Sequence, residues 1–169
     1  MKYMKKLFII SLFSVIAACG YQFEGGGYIN KDITRVAVKV LENRSAETGA
    51  DVIFTNALIR EILQKTDTKV VDAATATAVL EGTIKAITFS SLSRTTVESV
   101  IERNVSAVMD LQMVNKEGEV IWSATDLSSN EAYKTSQDMV TDEGNRGTAL
   151  GKIATRSAER IVSRMLSNF

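Results

Sequence analysis

Apolar and polar residues alternate along this chain with two different periods, and the switches between them mark out the elements. Arg35-Val36-Ala37-Val38-Lys39-Val40-Leu41 sets Val36, Val38 and Val40 against Ala37, Lys39 and Leu41, the pattern of a strand with one well-buried face. Glu42 to Ser45 is a polar break. From Gly49 to Lys65 the repeat lengthens: Val52, Leu58, Ile59, Ile62 and Leu63 recur at helical spacing, with Arg60, Glu61, Gln64 and Lys65 outside. Thr66-Asp67-Thr68 ends that helix, and Lys69 to Asp72 is a short strand or extended segment. Period two returns at Ala78. Val79 to Phe89 predicts a strand in which Gly82 marks a bulge, and Ser90 to Thr96 a polar connection. Val105, Ala107, Met109, Leu111 and Met113 then line one face of a long half-buried strand. Asn115-Lys116-Glu117-Gly118 has turn chemistry, with Gly118 placed for positive φ, and Glu119 to Ala124, extending towards Tyr133, is the hairpin partner.

The strongest periodicity is at the C-terminus. Leu150, Ile153, Ala154, Ser157, Ala158, Ile161, Val162, Met165 and Leu166 form one stripe, and Lys152, Arg156, Glu159, Arg160 and Arg164 lie opposite. Gly144, Gly147 and Gly151 follow no apolar strand, so they are assigned to the loop entering this helix and not to a dinucleotide-binding turn. The elements together predict an α+β fold: a mostly antiparallel four-stranded sheet with two amphipathic helices packed on one face. The first strand, first helix and next strand form a βαβ-like unit.

The N-terminus has a different logic. Lys2, Lys5 and Lys6 precede an uncharged run from Leu7 to Ala18. That run is too short to cross a bilayer, which takes about 20 apolar residues; a basic start and a short apolar segment describe a secretory leader. Ile16-Ala17-Ala18-Cys19 resembles a lipobox, with small residues before an obligatory cysteine. The expectation is cleavage before Cys19 and N-palmitoyl and S-diacylglycerol modification of that residue. Several acyl chains anchor durably where one binds only marginally. Gly20, in place of Asp, favours sorting to the outer membrane by resemblance to enteric lipoproteins. The chain thus divides into a cleaved leader (1–18), a lipidated flexible tether (19–30) and a single α+β domain (31–169). The Gly25-Gly26-Gly27 run suits the tether: no strand precedes it and no Lys-Ser/Thr follows, as a phosphate-cradling loop would require.

Charge and composition narrow the function. The 20 basic and 20 acidic residues balance in the precursor. Loss of Lys2, Lys5 and Lys6 leaves a net charge of −3 (17 − 20), which gives no basic excess for nucleic acid. There is no histidine, and the one cysteine is assigned to lipid. Ser-His-Asp and Cys-His nucleophiles and His- or Cys-based zinc sites are therefore excluded. Glu81, Asp110 and Asp126 leave carboxylate chemistry formally open, but on strands such residues ordinarily face solvent. Neither catalysis nor a cofactor is expected.

The chain resembles the LptE family of lipopolysaccharide-assembly lipoproteins. The resemblance is carried by Cys19-Gly20-Tyr21-Gln22-Phe23, Arg35-Val36-Ala37-Val38 with Asn43, and Thr55 to Leu63. Ala78-Val79-Leu80-Glu81-Gly82-Thr83-Ile84, Gly118-Glu119-Val120-Ile121-Trp122 and the terminal amphipathic helix add to it. The family often has a proline near the first strand, and this chain has none. The resemblance implies a non-enzymatic lipoprotein that plugs the LptD outer-membrane β-barrel, helps it assemble and assists lipopolysaccharide passage to the cell surface. A phosphorylated glycolipid calls for cations, for which Lys85, Arg94, Arg103 and Lys134 are candidates beside the ordinary reading as solvated charges. Arg35 to Val71 also resembles the strand–helix–strand start of TolB N-terminal, LpoB and CsgG-like lipoproteins, which would imply an accessory role on a periplasmic enzyme or secretion complex. The Cys19–Phe23 and Leu80–Gly82 segments favour the first family.

Overall fold

The computed structural model describes residues 27–94 and 100–167. The expected leader, Cys19 and most of the tether lie outside these residues. Eight elements follow in order: β1 (Arg35–Val38), β2 (Glu42–Asn43), α1 (Ala50–Lys65), β3 (Lys69–Val70), β4 (Ala78–Arg94), β5 (Val100–Asn115), β6 (Val120–Lys134) and α2 (Met139–Ser167).

The α+β class with two helices holds, and the sheet is larger and more mixed than expected. Six strands run in the order β3-β1-β4-β5-β6, with β2 joined to β4. β1 is parallel to both β3 and β4, and β2 is parallel to β4. Only β4–β5 and β5–β6 are antiparallel. The cause is the α1 crossover, which returns the chain to the end where β1 began. The expected first strand also divides. After Val38 the chain swings out and exposes Val40, then turns Leu41 into the core, where its N–H donates to Thr55 Oγ1 at 3.0 Å. Two short strands therefore share the edge of one long β4.

α1 buries a face turned from the predicted one. Phe54, Ala57, Leu58, Glu61 and Ile62 face inward, while Val52 and Leu63 are 52% and 56% exposed. A helix with apolar residues on most sides carries no sharp preference, and the packing partners decide. α2 starts at Met139, so Gly144, Gly147 and Gly151 are helical and not part of a loop. Asp138 caps it, accepting the Thr141 N–H at 2.8 Å, and its carboxyl is held below the usual range by the Thr141 hydroxyl and N–H. A Cβ on any of the three glycines would meet nothing within 4 Å. Each Gly→Ala change should therefore raise stability, by up to about 1 kcal/mol from helix propensity, read as a higher melting temperature.

Two parity switches shape the long strands. On β4 the core-facing residues are Leu80 and Ile84, then Ile87 and Phe89; on β6 they are Trp122, then Leu127, Ser129 and Tyr133. β5 keeps Val105, Ala107, Met109, Leu111 and Met113 on the core face without a break. The switches are bulges, at Lys85 on β4 and at Thr125–Asp126 on β6, where Asp126 has φ 52. Gly82, expected as a bulge, lies in unbroken register opposite Leu111. Glycine is required there by close approach: a Cβ would fall 2.4 Å from the Asp110 carbonyl oxygen. The core-facing side of the sheet and both helices close one continuous hydrophobic core, with Phe54, Ile62, Met109, Met113, Ile153 and Met165 among its members.

Candidate functional site

The outer face of the sheet is polar and paired. The two bulges flank Asp110 on β5 and bring three charges to one level. Lys85 Nζ is 2.7 Å from Asp126 Oδ1 and 3.4 Å from Asp110 Oδ2, and the Asp126 N–H donates to Asp110 Oδ1 at 2.7 Å. Asp126 and then Asp110 hold the Lys85 ammonium above its ordinary pKa. One step along the sheet, Glu81 accepts from Lys39 at 2.7 Å and from Gln112 Nε2 at 2.8 Å; both bonds keep its carboxyl ionised. Glu42 accepts from Arg44 and from the Thr83 hydroxyl, with the same effect. Lys39, Glu42, Glu81, Thr83, Asp110 and Gln112 line an open groove of about 620 Å³, together with Val40 and Val120. The candidate acids Glu81, Asp110 and Asp126 thus share one face, each tied to a cation. Held ionised by its bonds to Lys39 and Gln112, Glu81 is a poor general acid. Whatever stability the lowered Glu42 and Glu81 pKa values contribute is present above the ordinary carboxylate range and lost as pH falls through their folded values.

The candidate cations are not brought together. Lys85 is committed to the bulge, six residues along β4 from Ser91, which is about 20 Å. Arg103 is paired in register with core-facing Tyr133 and so lies on the helix side of the sheet, while Lys134, opposite Glu102, lies on the outer side. Arg94 closes β4, and its side chain lies outside the described residues.

Two sets of contacts were not legible as motifs. The first joins α2 to the rim of the sheet. β6 is an edge strand. Asn145 Nδ2 and Arg160 Nη1 donate to the Lys134 and Ser128 carbonyls at 3.0 and 2.6 Å, Lys152 and Arg156 clasp Glu131, and Ser157 meets Ser129 at 2.9 Å. Carbonyls that could template another strand are thereby occupied. The second set centres on Arg146. It pairs with Glu47 and Glu143 and lies 4.5 Å from the centroid of the Phe89 ring, which meets Tyr133 edge-on at 6.4 Å. Arg146 thus ties α2, the loop before α1 and β4 together. Arg146→Ala should cost about 2 kcal/mol, because it leaves the half-buried Glu47 without its cation, and Arg146→Lys should restore only part; denaturant titration reads both.

The first helix, α1, carries an unpaired acid. Glu61 is 7% exposed, its carboxylate has no hydrogen-bond or ion-pair partner among the described residues, and burial pushes its pKa up. Glu159 of α2 adds to the rise, and Lys65 opposes it. The folded value is above the unfolded one, so Glu61 weakens the fold increasingly as pH climbs through and above the ordinary carboxylate range. Glu61→Gln should stabilise by about 1 kcal/mol at neutral pH, and the gain should vanish in acid, where both states are protonated; melting curves across pH check this.

Comparisons with known proteins agree with this architecture. The solution structure of lipoprotein B from Nitrosomonas europaea superposes with TM-score 0.61 at 14% identity, covering 88% of this chain and 91% of that one. The crystal structure of the rare lipoprotein B from Shewanella oneidensis superposes with TM-score 0.53 at 16% identity, covering 79% and 94%. At such identities the likeness is one of fold. No curated protein sequence matches the chain significantly. A family model described as LptE, lipopolysaccharide-assembly, matches residues 33–165, which span every element of the sheet and nearly all of α2. This chain belongs to the LptE family of lipopolysaccharide-assembly lipoproteins.

Proposed function

We propose that the mature protein is an outer-membrane lipoprotein, anchored by acyl chains on Cys19, that plugs and helps assemble an LptD-type β-barrel and assists lipopolysaccharide insertion at the cell surface. In this reading it acts by binding and not by catalysis. The observation that carries the proposal is the family match over residues 33–165. The surface supports it. A plug in a hydrated lumen needs a polar exterior whose charges are already compensated, and the outer sheet face supplies this through Lys39–Glu81, Arg44–Glu42 and Lys85 with Asp110 and Asp126. No described helix is long and apolar enough to cross a membrane. In this reading the lipid on Cys19 provides the attachment. Affinity isolation of the full-length chain from detergent-solubilised outer membranes tests the partner: a large β-barrel protein should co-purify in stable complex. Recovery of the chain without one would defeat the reading.

A further inference from the structure

Both helices descend to the end of the domain at which the chain enters it. α2 runs antiparallel to β6, with Asn145 on the Lys134 carbonyl and Arg160 on the Ser128 carbonyl, so its last turn heads towards the start of that strand. α1 passes Leu41 at Thr55 and ends in Thr66-Asp67-Thr68, which holds the entering segment. The Asp67 N–H donates to the Gly27 carbonyl at 2.9 Å, and Thr68 Oγ1 accepts from the Ile29 N–H at 3.0 Å and donates to the Ile33 carbonyl at 3.1 Å. Ile29 and Ile33 are buried, so these contacts fix Tyr28 in place, half-exposed. Leu63, in the last turn of α1, and Leu166, in the last turn of α2, are exposed at the same end. The segments that carry them also carry Lys31, Lys65, Lys69 and Arg164, all exposed and none in an ion pair among the described residues. The acids in these segments are Asp32 and Asp67. The outer sheet face differs, because acids neutralise its cations Lys39, Arg44 and Lys85.

We infer that this end of the domain rests on the phospholipid surface that carries the Cys19 anchor, with Tyr28, Leu63 and Leu166 at headgroup level and the four cations on anionic headgroups. The inference rests on the acylation of Cys19 proposed above and not on the barrel. Reach argues for this occupant. Eight peptide steps join Cys19 to Gly27, about 29 Å at full extension, so the entry end can stand no further than that from the bilayer. The start of α2 lies the length of a 29-residue helix away, about 43 Å. The side chains argue for it as well. A tyrosine with an apolar ring and a polar tip suits the headgroup layer, and Lys and Arg stems lie along apolar surface while their heads reach phosphates. Cations close to a membrane are drawn to anionic headgroups within about a Debye length, roughly 8 Å. Each contact is small, and the tether makes them effective by holding the two surfaces at high local concentration.

The test reconstitutes the full-length lipidated chain in vesicles of phosphatidylcholine and phosphatidylglycerol. A nitroxide is placed on Tyr28→Cys, Leu63→Cys or Leu166→Cys, and on Met139→Cys and Val40→Cys as controls. All five positions are exposed, so labelling should leave the fold intact. Membrane-dissolved oxygen and a water-soluble nickel chelate then compete to relax the label. Oxygen should dominate at positions 28, 63 and 166, and nickel at 139 and 40. Replacing phosphatidylglycerol by phosphatidylcholine should restore nickel access at 63 and 166; no change would overturn the assignment to an anionic surface. Nickel dominating at all five positions would overturn the inference. So would labels at 28, 63 and 166 shielded from both reagents, which would mark cover by residues 20–26, or spin–spin broadening that grows with protein density, which would mark a second copy. Failure of the anchor reads differently: the parent chain, whose one cysteine is Cys19, would take up label and would not float with the vesicles, overturning both readings.

Discussion

Gly82→Ala should destabilise the domain by about 3 kcal/mol or more, lowering the melting temperature by roughly 10 °C. The reason is local and severe. The new methyl would lie 2.4 Å from the Asp110 carbonyl oxygen and 2.9 Å from Leu111 Cγ, distances that ordinary contacts do not reach. The first neighbour is backbone and cannot swing aside; the second is a leucine buried in the core. Relief requires β4 and β5 to separate where their register is unbroken, just below the bulge at Lys85. Strain should therefore spread into the Lys85–Asp110–Asp126 contacts. Gly147→Ala is the matched control, because its methyl meets open space and should stabilise. Equal behaviour of the two variants in denaturant titration would contradict the close-approach explanation.

The second large effect is on location. Cys19→Ser should abolish incorporation of labelled palmitate, leave the leader uncleaved and keep the chain out of the outer-membrane fraction. Serine is close in size but supplies no thiolate for acyl transfer, and no other cysteine can substitute. In the proposed anchoring the acyl chains on Cys19 hold the chain to the membrane, and the variant would lack them. Palmitate labelling with density-gradient fractionation measures this, and persistent label in the Cys19→Ser variant would refute lipidation at this position.

Elements whose stability is decided by near neighbours were readable from the sequence. The β5–β6 hairpin stands where alternation and Asn115–Gly118 placed it, and Gly118 has φ 86. The α2 stripe is buried as expected from Leu150 to Met165, because every third or fourth residue meets the same core, whereas Leu166, assigned to the same stripe, is 39% exposed. What failed depended on distant partners. Parallel pairing of β1 and β2 along β4 joins residues about 40 apart, and nothing in either segment announces it. Ser90 to Arg94 was expected as a connection because it is polar, yet it continues β4 by pairing with β5, where backbone hydrogen bonds suffice without an apolar face. The bulges did leave a trace: the core-facing parity changes between Ile84 and Ile87, and again between Trp122 and Leu127. That trace would have placed Lys85 and Asp126 on either side of Asp110. Glu61 left none, since its burial follows from the way α1 turns against α2.

Service to lipopolysaccharide assembly through a barrel partner is tested most directly in growing cells. The protein is depleted, and surface lipopolysaccharide and folded LptD-type barrel are measured in the same samples. Both should fall together, and the wild-type chain should restore both while the Cys19→Ser variant does not. Normal levels of both after depletion would contradict the proposed role.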